Sequence, residues 1–249
     1  MISVIMGLNK YDEHVPSAIN SILAQSLSEF EFIVVANGSS CNEIESRIRE
    51  IYPNEKRLKI ITSHIGQLAH ALNIGIDVSL YDYIARMDSD DVAWPERLQR
   101  QLMYLNENRL DLVGCDLRLI NSSGKTIGTR VYPKGLKINR YLSFKNCFAH
   151  NTVLMRKSIL FDVRGYNSGF NSEDYDLWLR LRRLGLKWDN MNEVLLDYRI
   201  HDKSSQRRLL GYAESTALAM REFVLKKTVS NFLAVGYHFL KSLIRARGK

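Results

Sequence analysis

Cysteine is scarce in this chain, and the three present do not cooperate. Cys41, Cys115 and Cys147 are odd in number, far apart, and show neither a disulfide framework nor a metal-ligand spacing. That usage fits a reducing compartment and buried, inert thiols. A secretory leader is not expected either. Ile2-Ser3-Val4-Ile5-Met6 reads as a strand at once, with no basic segment before it and no cleavage pattern after it, so a cytoplasmic location is expected. No G-x-G-x-x-G follows this strand and no P-loop occurs, which weighs against nicotinamide, flavin and P-loop nucleotide enzymes. The first loop, Gly7-Leu8-Asn9-Lys10, is not the glycine-rich basic loop that a nucleotidyltransferase would need. Internal repeats and low-complexity segments are absent too.

Excess charge is missing from most of the chain. The net charge is +8, yet residues 1–202 balance 25 Lys/Arg against 25 Asp/Glu. Residues 203–249 carry 10 Lys/Arg against Glu214 and Glu222. A nucleic-acid-binding body would spread a basic face over its main domain, so no nucleic-acid partner is expected. The division predicted is a domain over 1–205 and a basic amphipathic helical tail over 206–249. In the tail, Lys226-Lys227 precede Val229, Phe232, Leu233, Tyr237, Phe239, Leu240, Leu243 and Ile244, and the cations Lys241, Arg245, Arg247 and Lys249 are at the far end. This stretch is interrupted by Gly236 and His238 and is too short to span a bilayer. Two readings stand: a helix lying in an anionic membrane surface, or a helix packed on the body with a solvated basic end.

The first hundred residues alternate. Strand 2–7 precedes a helix with Val15, Ile19, Ile22 and Leu23 on one face, and strand 30–35 ends in a turn at 36–40. A charged helix over 42–51 leads to strand 58–61, and a helix over 67–79 leads to strand 82–87. Repeated β-α-β units predict an α/β, Rossmann-like fold, with a mainly parallel sheet and helices on both faces. Right-handed crossovers place the loops 7–10, 36–40 and 88–91 along one edge. Beyond residue 110 the pattern is less regular. It predicts a hairpin of 111–120 with 124–132, a strand at 151–155, a helix over 173–184 and a strand over 194–200 before a polar loop.

The acidic cluster Asp88-Ser89-Asp90-Asp91 closes the strand that ends in Arg86-Met87. Like charges so close need water, arginines or a cation to offset them. At the carboxyl edge of an α/β sheet, oxygen donors suit a hard divalent ion that also holds a substrate's phosphates. The alternative is a solvated loop, with Asp91 at the positive end of the helix that Pro95 begins. An EF-hand is excluded, because Val92 and Ala93 stand where an oxygen ligand and the glycine belong. A second acidic group, Glu173-Asp174-Tyr175-Asp176, opens a later helix behind Asn171 and Ser172. Acids suit a helix N-terminus, Asn171 or Ser172 can cap it, and Asp176 can pair with Arg180. Glu173 and Asp174 remain adjacent, and repulsion raises one pKa, as a general base requires. His201, at the end of a strand, could complete a metal shell with Asp90. His150, Asn151, Trp94 and Trp178 suit either the acceptor side of a site or core packing.

In order along residues 2–205, these pieces resemble the family 2 inverting glycosyltransferases, which have the GT-A fold. The residues that carry the resemblance are Ser3-Val4-Ile5 with Ser21-Ile22-Leu23-Ala24-Gln25-Ser26, Phe30-Glu31-Phe32-Ile33-Val34-Val35-Ala36-Asn37-Gly38-Ser39 and Leu72-Asn73-Ile74-Gly75. Asp88-Ser89-Asp90-Asp91 with Pro95-Glu96-Arg97-Leu98, Glu173-Asp174-Tyr175-Asp176-Leu177-Trp178-Leu179-Arg180 and Tyr198-Arg199-Ile200-His201 complete the set.

The resemblance implies a sugar transferred from a UDP-sugar donor with inversion. Asp90 would ligate Mn2+ or Mg2+ with His201 as second ligand, and Asp88 would contact the ribose or a metal-bound water. Asp174 would be the catalytic base, with Glu173 beside it. Asn37 would meet the base of the nucleotide, the loop Gly7-Leu8-Asn9 would line the same pocket, and Arg86 and Ser89 would complete it. If the tail lies in a membrane surface, the acceptor would be a polyprenyl-diphosphate-linked saccharide, built into O-antigen or another surface polysaccharide on the cytoplasmic face of the inner membrane. Two departures are visible. Gly7-Leu8-Asn9 replaces the family's usual Pro or Thr and Tyr, and Ala36-Asn37 replaces paired aspartates, although an asparagine carbonyl still accepts a uracil N3–H. A binding module without turnover is the alternative function.

Overall fold

The computed structural model describes residues 1–167, 169, 171–200 and 209–247. The alternation of the first hundred residues is realised. β1 (Ile2–Leu8), α1 (Val15–Leu23), β2 (Phe30–Asn37), α2 (Cys41–Ile51), β3 (Leu58–Ser63), α3 (Leu68–Val78) and β4 (Tyr83–Arg86) form a parallel unit. In it β1 lies between β2 and β4, and β3 flanks β2. Strand side chains alternate between faces, so Val4, Met6, Phe32 and Val34 join one core with α1 and α2. Ile5 and Ile84 join a second core with α3. Two motif residues owe their identity to packing. A Cβ at Gly75 would lie 2.5 Å from Ile5 Cγ2, so α3 can approach β1 only with glycine there. Asn73 donates to the Tyr166 carbonyl and accepts from its N–H, both at 2.8 Å.

The second half is mixed. It contains β5 (Val92–Ala93), α4 (Arg97–Glu107), β6 (Leu112–Ile120), β7 (Thr126–Arg130), α5 (Leu136–Tyr141) and a 3-10 turn at His150–Thr152. β8 (Leu154–Arg156), α6 (Lys157–Asp162), α7 (Glu173–Arg183), β9 (Trp188–Arg199), α8 (Leu209–Leu225) and α9 (Val229–Arg247) follow. The sheet order is β3-β2-β1-β4-β8-β6-β9-β5, with β7 paired to β6. β8 is antiparallel to β4 and β6, whereas β9 runs parallel to β6. The α/β class therefore holds, with the uninterrupted parallel order confined to the first four strands.

Several expectations change locally. Pro95 does not begin a helix: α4 starts at Arg97, because Val92 and Ala93 first pair with Asp197 and Leu196 of β9. The strand expected at 151–155 begins as a 3-10 turn. β9 starts six residues earlier than its apolar pattern, at Trp188, where pairing with β6 extends it. No side chain caps α7, and the Ser172 hydroxyl donates instead to the Gly211 carbonyl at 3.1 Å.

α8 and α9 pack on each other and on the body. Glu222 accepts from Arg183 and Arg221, and Arg221 reaches Asp176, which Arg180 also holds at 2.8 Å. The seam that α9 turns inward is polar or small, with Asn231, Ala234 and His238 buried. Its outward side carries Val229, Phe232, Leu233, Phe239, Leu240 and Ile244, each more than half exposed. Among the described residues no helix is long and apolar enough to cross a membrane.

Candidate active site

Because β1, β2 and β4 run parallel, their carboxyl ends share one edge. Gly7 and Leu8 end β1 with Asn9 just beyond, Asn37 ends β2, and Asp88 to Asp91 follow β4. Leu8 packs its side chain into the core, 1% exposed, which leaves its main chain at the edge. Gly7 is small for α3, since a Cβ there would lie 2.9 Å from Leu68 Cδ1. Asn9 is exposed. Asn37 is buried and donates to the Ile65 carbonyl at 3.4 Å. Ser89 is half-buried within the acidic loop.

The acidic loop is braced by three arginines. Arg86, almost fully buried, pairs through Nη2 with Asp88 Oδ1 at 2.5 Å. Burial alone would lower the Arg86 pKa, but the Asp88 and Asp91 carboxylates and Tyr166 outweigh it and hold it raised. Arg97 is completely buried under the loop, where it donates to the Arg86 carbonyl at 2.6 Å and to Gln101. Burial brings its pKa down to about 10. Arg199 donates through Nε to the Asp90 carbonyl at 2.8 Å and through Nη1 to the carbonyls of Asn121 and Ser122. Asp91 does not serve a helix end. It is buried, accepts from the Arg199 N–H at 2.9 Å and from the Asn151 amide, and is raised well above the carboxylate range by burial and by Asp88 and Asp90.

Asp88, Asp90 and Asp91 each offer a carboxylate oxygen within 4.8 Å of the others. Such a set fits a hard divalent cation. Asp91 is engaged by the Arg199 N–H and the Asn151 amide, and Asp88 by Arg86. His201 lies outside the described residues.

The second acidic group is treated differently. At the start of α7, Asp174 Oδ2 accepts from Asn146 Nδ2 at 2.5 Å and Oδ1 accepts from the Tyr175 N–H at 2.6 Å. Burial, and then the Glu173 charge, push Asp174 up to about 7. Burial also raises Glu173. These donors are neutral amides, so Asp174 stands near neutrality between its protonation states.

Arg86, Asp88, Glu173 and Asp174 line one cleft of about 550 Å3. Its other walls bring in Asn146, His150, Asn151, Tyr132, Tyr198 and, from the tail, Tyr212, His238 and Lys241. Gly7, Leu8, Asn9 and Asn37 do not line it and belong to the adjoining strand edge. His150 bonds the Tyr166 hydroxyl through Nε2 at 2.8 Å and is kept neutral by burial and by the Arg86 charge. Trp178 is a core residue, and Trp94 donates to Asp197 at 2.8 Å, so neither tryptophan lines the cleft. Asn146 carried no motif. Its loop lacks any periodic signal, and only the fold sets it against Asp174.

A family model for glycosyl transferase family 2 matches residues 3–163. The O-antigen biosynthesis glycosyltransferase WbnJ of Escherichia coli is 49% identical over 98% of this chain and 97% of its own length. An Escherichia coli UDP-Gal:alpha-D-GlcNAc-diphosphoundecaprenol beta-1,3-galactosyltransferase is 27% identical over 92% of this chain and 85% of its own. Residues 1–349 of S. aureus TarS, crystallised with UDP-GlcNAc, superpose with a TM-score of 0.73 at 17% identity, covering 96% of this chain and 71% of that one. That likeness shows the GT-A fold.

Proposed function

Since the chain belongs to glycosyl transferase family 2 and is a glycosyltransferase, we propose that it moves one sugar from a UDP-sugar to a hydroxyl of a polyprenyl-diphosphate-linked saccharide. The product would be a bacterial O-antigen or a related surface polysaccharide, assembled at the cytoplasmic face of the inner membrane. The observation that carries this reading is a carboxylate poised near neutrality, Asp174, lining the same cleft as Asp88. A general base works best with a pKa close to the working pH.

Asn146 and the Tyr175 N–H orient the Asp174 carboxylate. Asp174 accepts the proton of the acceptor hydroxyl while that oxygen attacks the anomeric carbon from the side opposite UDP. One displacement inverts the configuration, so an α-linked donor gives a β-glycoside. Glu173, raised by burial, lies beside the base and adds to its elevation. Asp90 and Asp88, with His201 as the further ligand implied by the resemblance, would hold Mn2+ or Mg2+. The ion, when bound, supplies positive charge beside the departing diphosphate. Arg86 keeps Asp88 in place, and Asn37 with the main chain of Gly7, Leu8 and Asn9 would meet the uridine.

The tail supports a membrane-bound acceptor. α9 reverses the usual amphipathic order, with a polar seam toward the body and an apolar face outward. Lys226, Lys227 and Arg245 border that face. An interfacial helix takes this form on an anionic bilayer. Phe232→Asp combined with Leu240→Asp should abolish co-sedimentation of the full chain with phosphatidylglycerol vesicles; unchanged sedimentation removes the membrane part of the reading.

The test of the transfer itself is UDP release from a panel of UDP-sugars with a lipid-diphosphate saccharide, with Mn2+ or with chelator, and mass spectrometry of the lipid product. A sugar increment with UDP release is expected. UDP-sugar binding with no product would leave a binding module instead.

A further inference from the structure

Resting on the lipid-diphosphate acceptor proposed above, the geometry points to a second diphosphate site in the cleft, formed by Lys145 and Lys241, that holds the acceptor's own diphosphate. Both lysines line the cleft that contains Asp174. Among the described residues, neither has a carboxylate within salt-bridge distance. Instead each ammonium stands over aromatic faces: Lys241 Nζ is 5.6 Å from the ring centres of Tyr212 and Tyr237, and Lys145 Nζ is 4.8 Å from that of Tyr141. A ring face orients an ammonium without using up its N–H donors as a carboxylate would. These cations are therefore positioned and still able to bind an anion.

Their place in the fold gives the anion's identity. Lys145 precedes Asn146, the residue that holds the base, so the site begins beside the reacting hydroxyl. Phe144 meets Tyr237 edge-on at 5.8 Å, and His238 bonds the Ser143 carbonyl at 3.0 Å, so the Lys145 loop is fastened to α9. Lys241 is on α9, whose outer face is apolar. The base and both cations thus share one cleft, and the second cation stands on a helix whose other face is apolar. A saccharide at the base, a diphosphate at the lysines and a prenyl chain toward that helix would match the parts of such an acceptor. The donor's diphosphate belongs at the Asp88–Asp90 end, where the sheet edge and the uridine residues lie, so the lysine pair serves a different anion.

The test uses the full chain, saturated with UDP and Mg2+ so that the donor site is filled, and titrates soluble hexyl diphosphate by calorimetry. Wild type should bind, and Lys145→Gln with Lys241→Gln should weaken binding at least tenfold while leaving UDP affinity within twofold. Lys56→Gln, an exposed lysine at the opposite end of the sheet, should match wild type. Equal hexyl diphosphate binding by wild type and the double variant overturns the lysine site and leaves the acceptor class standing. A parallel loss of UDP affinity overturns it in favour of the donor. No binding by wild type overturns the site together with the lipid-diphosphate acceptor. Phosphatidylglycerol vesicles form a separate arm. If the double variant loses vesicle binding while hexyl diphosphate binding is unchanged, the lysines serve bilayer headgroups and the proposal fails.

Discussion

Two groups of adjacent carboxylates meet at this cleft, the first through Asp88 and the second through Glu173 and Asp174, and the fold treats them in opposite ways. Around Asp88–Asp91 it places guanidinium groups: Arg86 on Asp88, Arg97 beneath the loop, and Arg199 on the Asp90 carbonyl. Around Asp174 it places only amides, from Asn146 and Tyr175, with Glu173 alongside. The first arrangement holds a dense negative loop in shape, with oxygens of Asp88, Asp90 and Asp91 within 4.8 Å of one another. The second raises a carboxyl to about 7 and prepares it to exchange a proton. The lesson is that the neighbours, not the residue type, divide the labour between identical side chains.

The sharpest way to break this comparison is Asp174→Asn. Turnover should fall about 10^3-fold, within the range for loss of a general base, with the donor KM within twofold. Steady-state UDP release checks it, and a rate within tenfold of wild type would remove Asp174 as base. In wild type the base must be ionised, so the rate should climb tenfold per pH step below about 7 and level above it.

The arginine side should show next, in stability rather than chemistry. Arg97→Met removes the buried donor that the Arg86 carbonyl and the Gln101 side chain accept from, and leaves both acceptors unsatisfied. A loss of about 3 kcal/mol is expected, read as a lower midpoint in urea. Stability within about 0.5 kcal/mol of wild type would show that the loop needs no internal cation.

Asp90→Ala should weaken Mn2+-dependent UDP binding about 10-fold or more and leave binding with chelator unchanged. Identical titrations with Mn2+ would take the cation away from this loop.

The smallest effect is again at Asp174, and its sign is opposite to that on turnover. The folded pKa lies above the unfolded value, so the folded protein binds the extra proton between about pH 4 and pH 7. The stability this contributes is full below that window and is lost as pH rises through it. Asn carries no charge at any pH. Asp174→Asn should therefore raise stability by about 1 kcal/mol at pH 8, with the gain shrinking as pH falls and gone below about pH 4. The figure is set well below the whole shift because the carboxyl is partly open to water. A melting temperature no higher than wild type at pH 8 would mean that burial does not strain this carboxylate.

Much of the frame was legible in the chain itself. Val4, Ile5 and Met6, and Phe32 to Val35, leave strands little alternative, and the intervening helices have one apolar face each. The hairpin 111–132 announced itself through its Asn121–Gly124 turn. Misreadings occurred where long-range pairing overrides local preference. Pro95 looked like a helix start, but β5 takes the preceding residues into the sheet beside β9. Trp188–Glu193 shows no apolar alternation and is a strand only because β6 offers it a partner. Ser172 had a cap's chemistry, and the tail drew its hydroxyl to Gly211.

The order of the carboxylate motifs, the apolar strands and the basic, apolar tail are local properties, written in neighbouring residues, and determined by the sequence alone. Which carboxyl is raised toward neutrality and which lies beside a guanidinium was decided by contacts that close in space. Arg199 reaches Asp90 across 109 positions, Asn151 reaches Asp91 across 60, and Asn146 reaches Asp174 across 28. Desolvation and charge act over a few ångströms, so they exist for these groups only once the chain has folded.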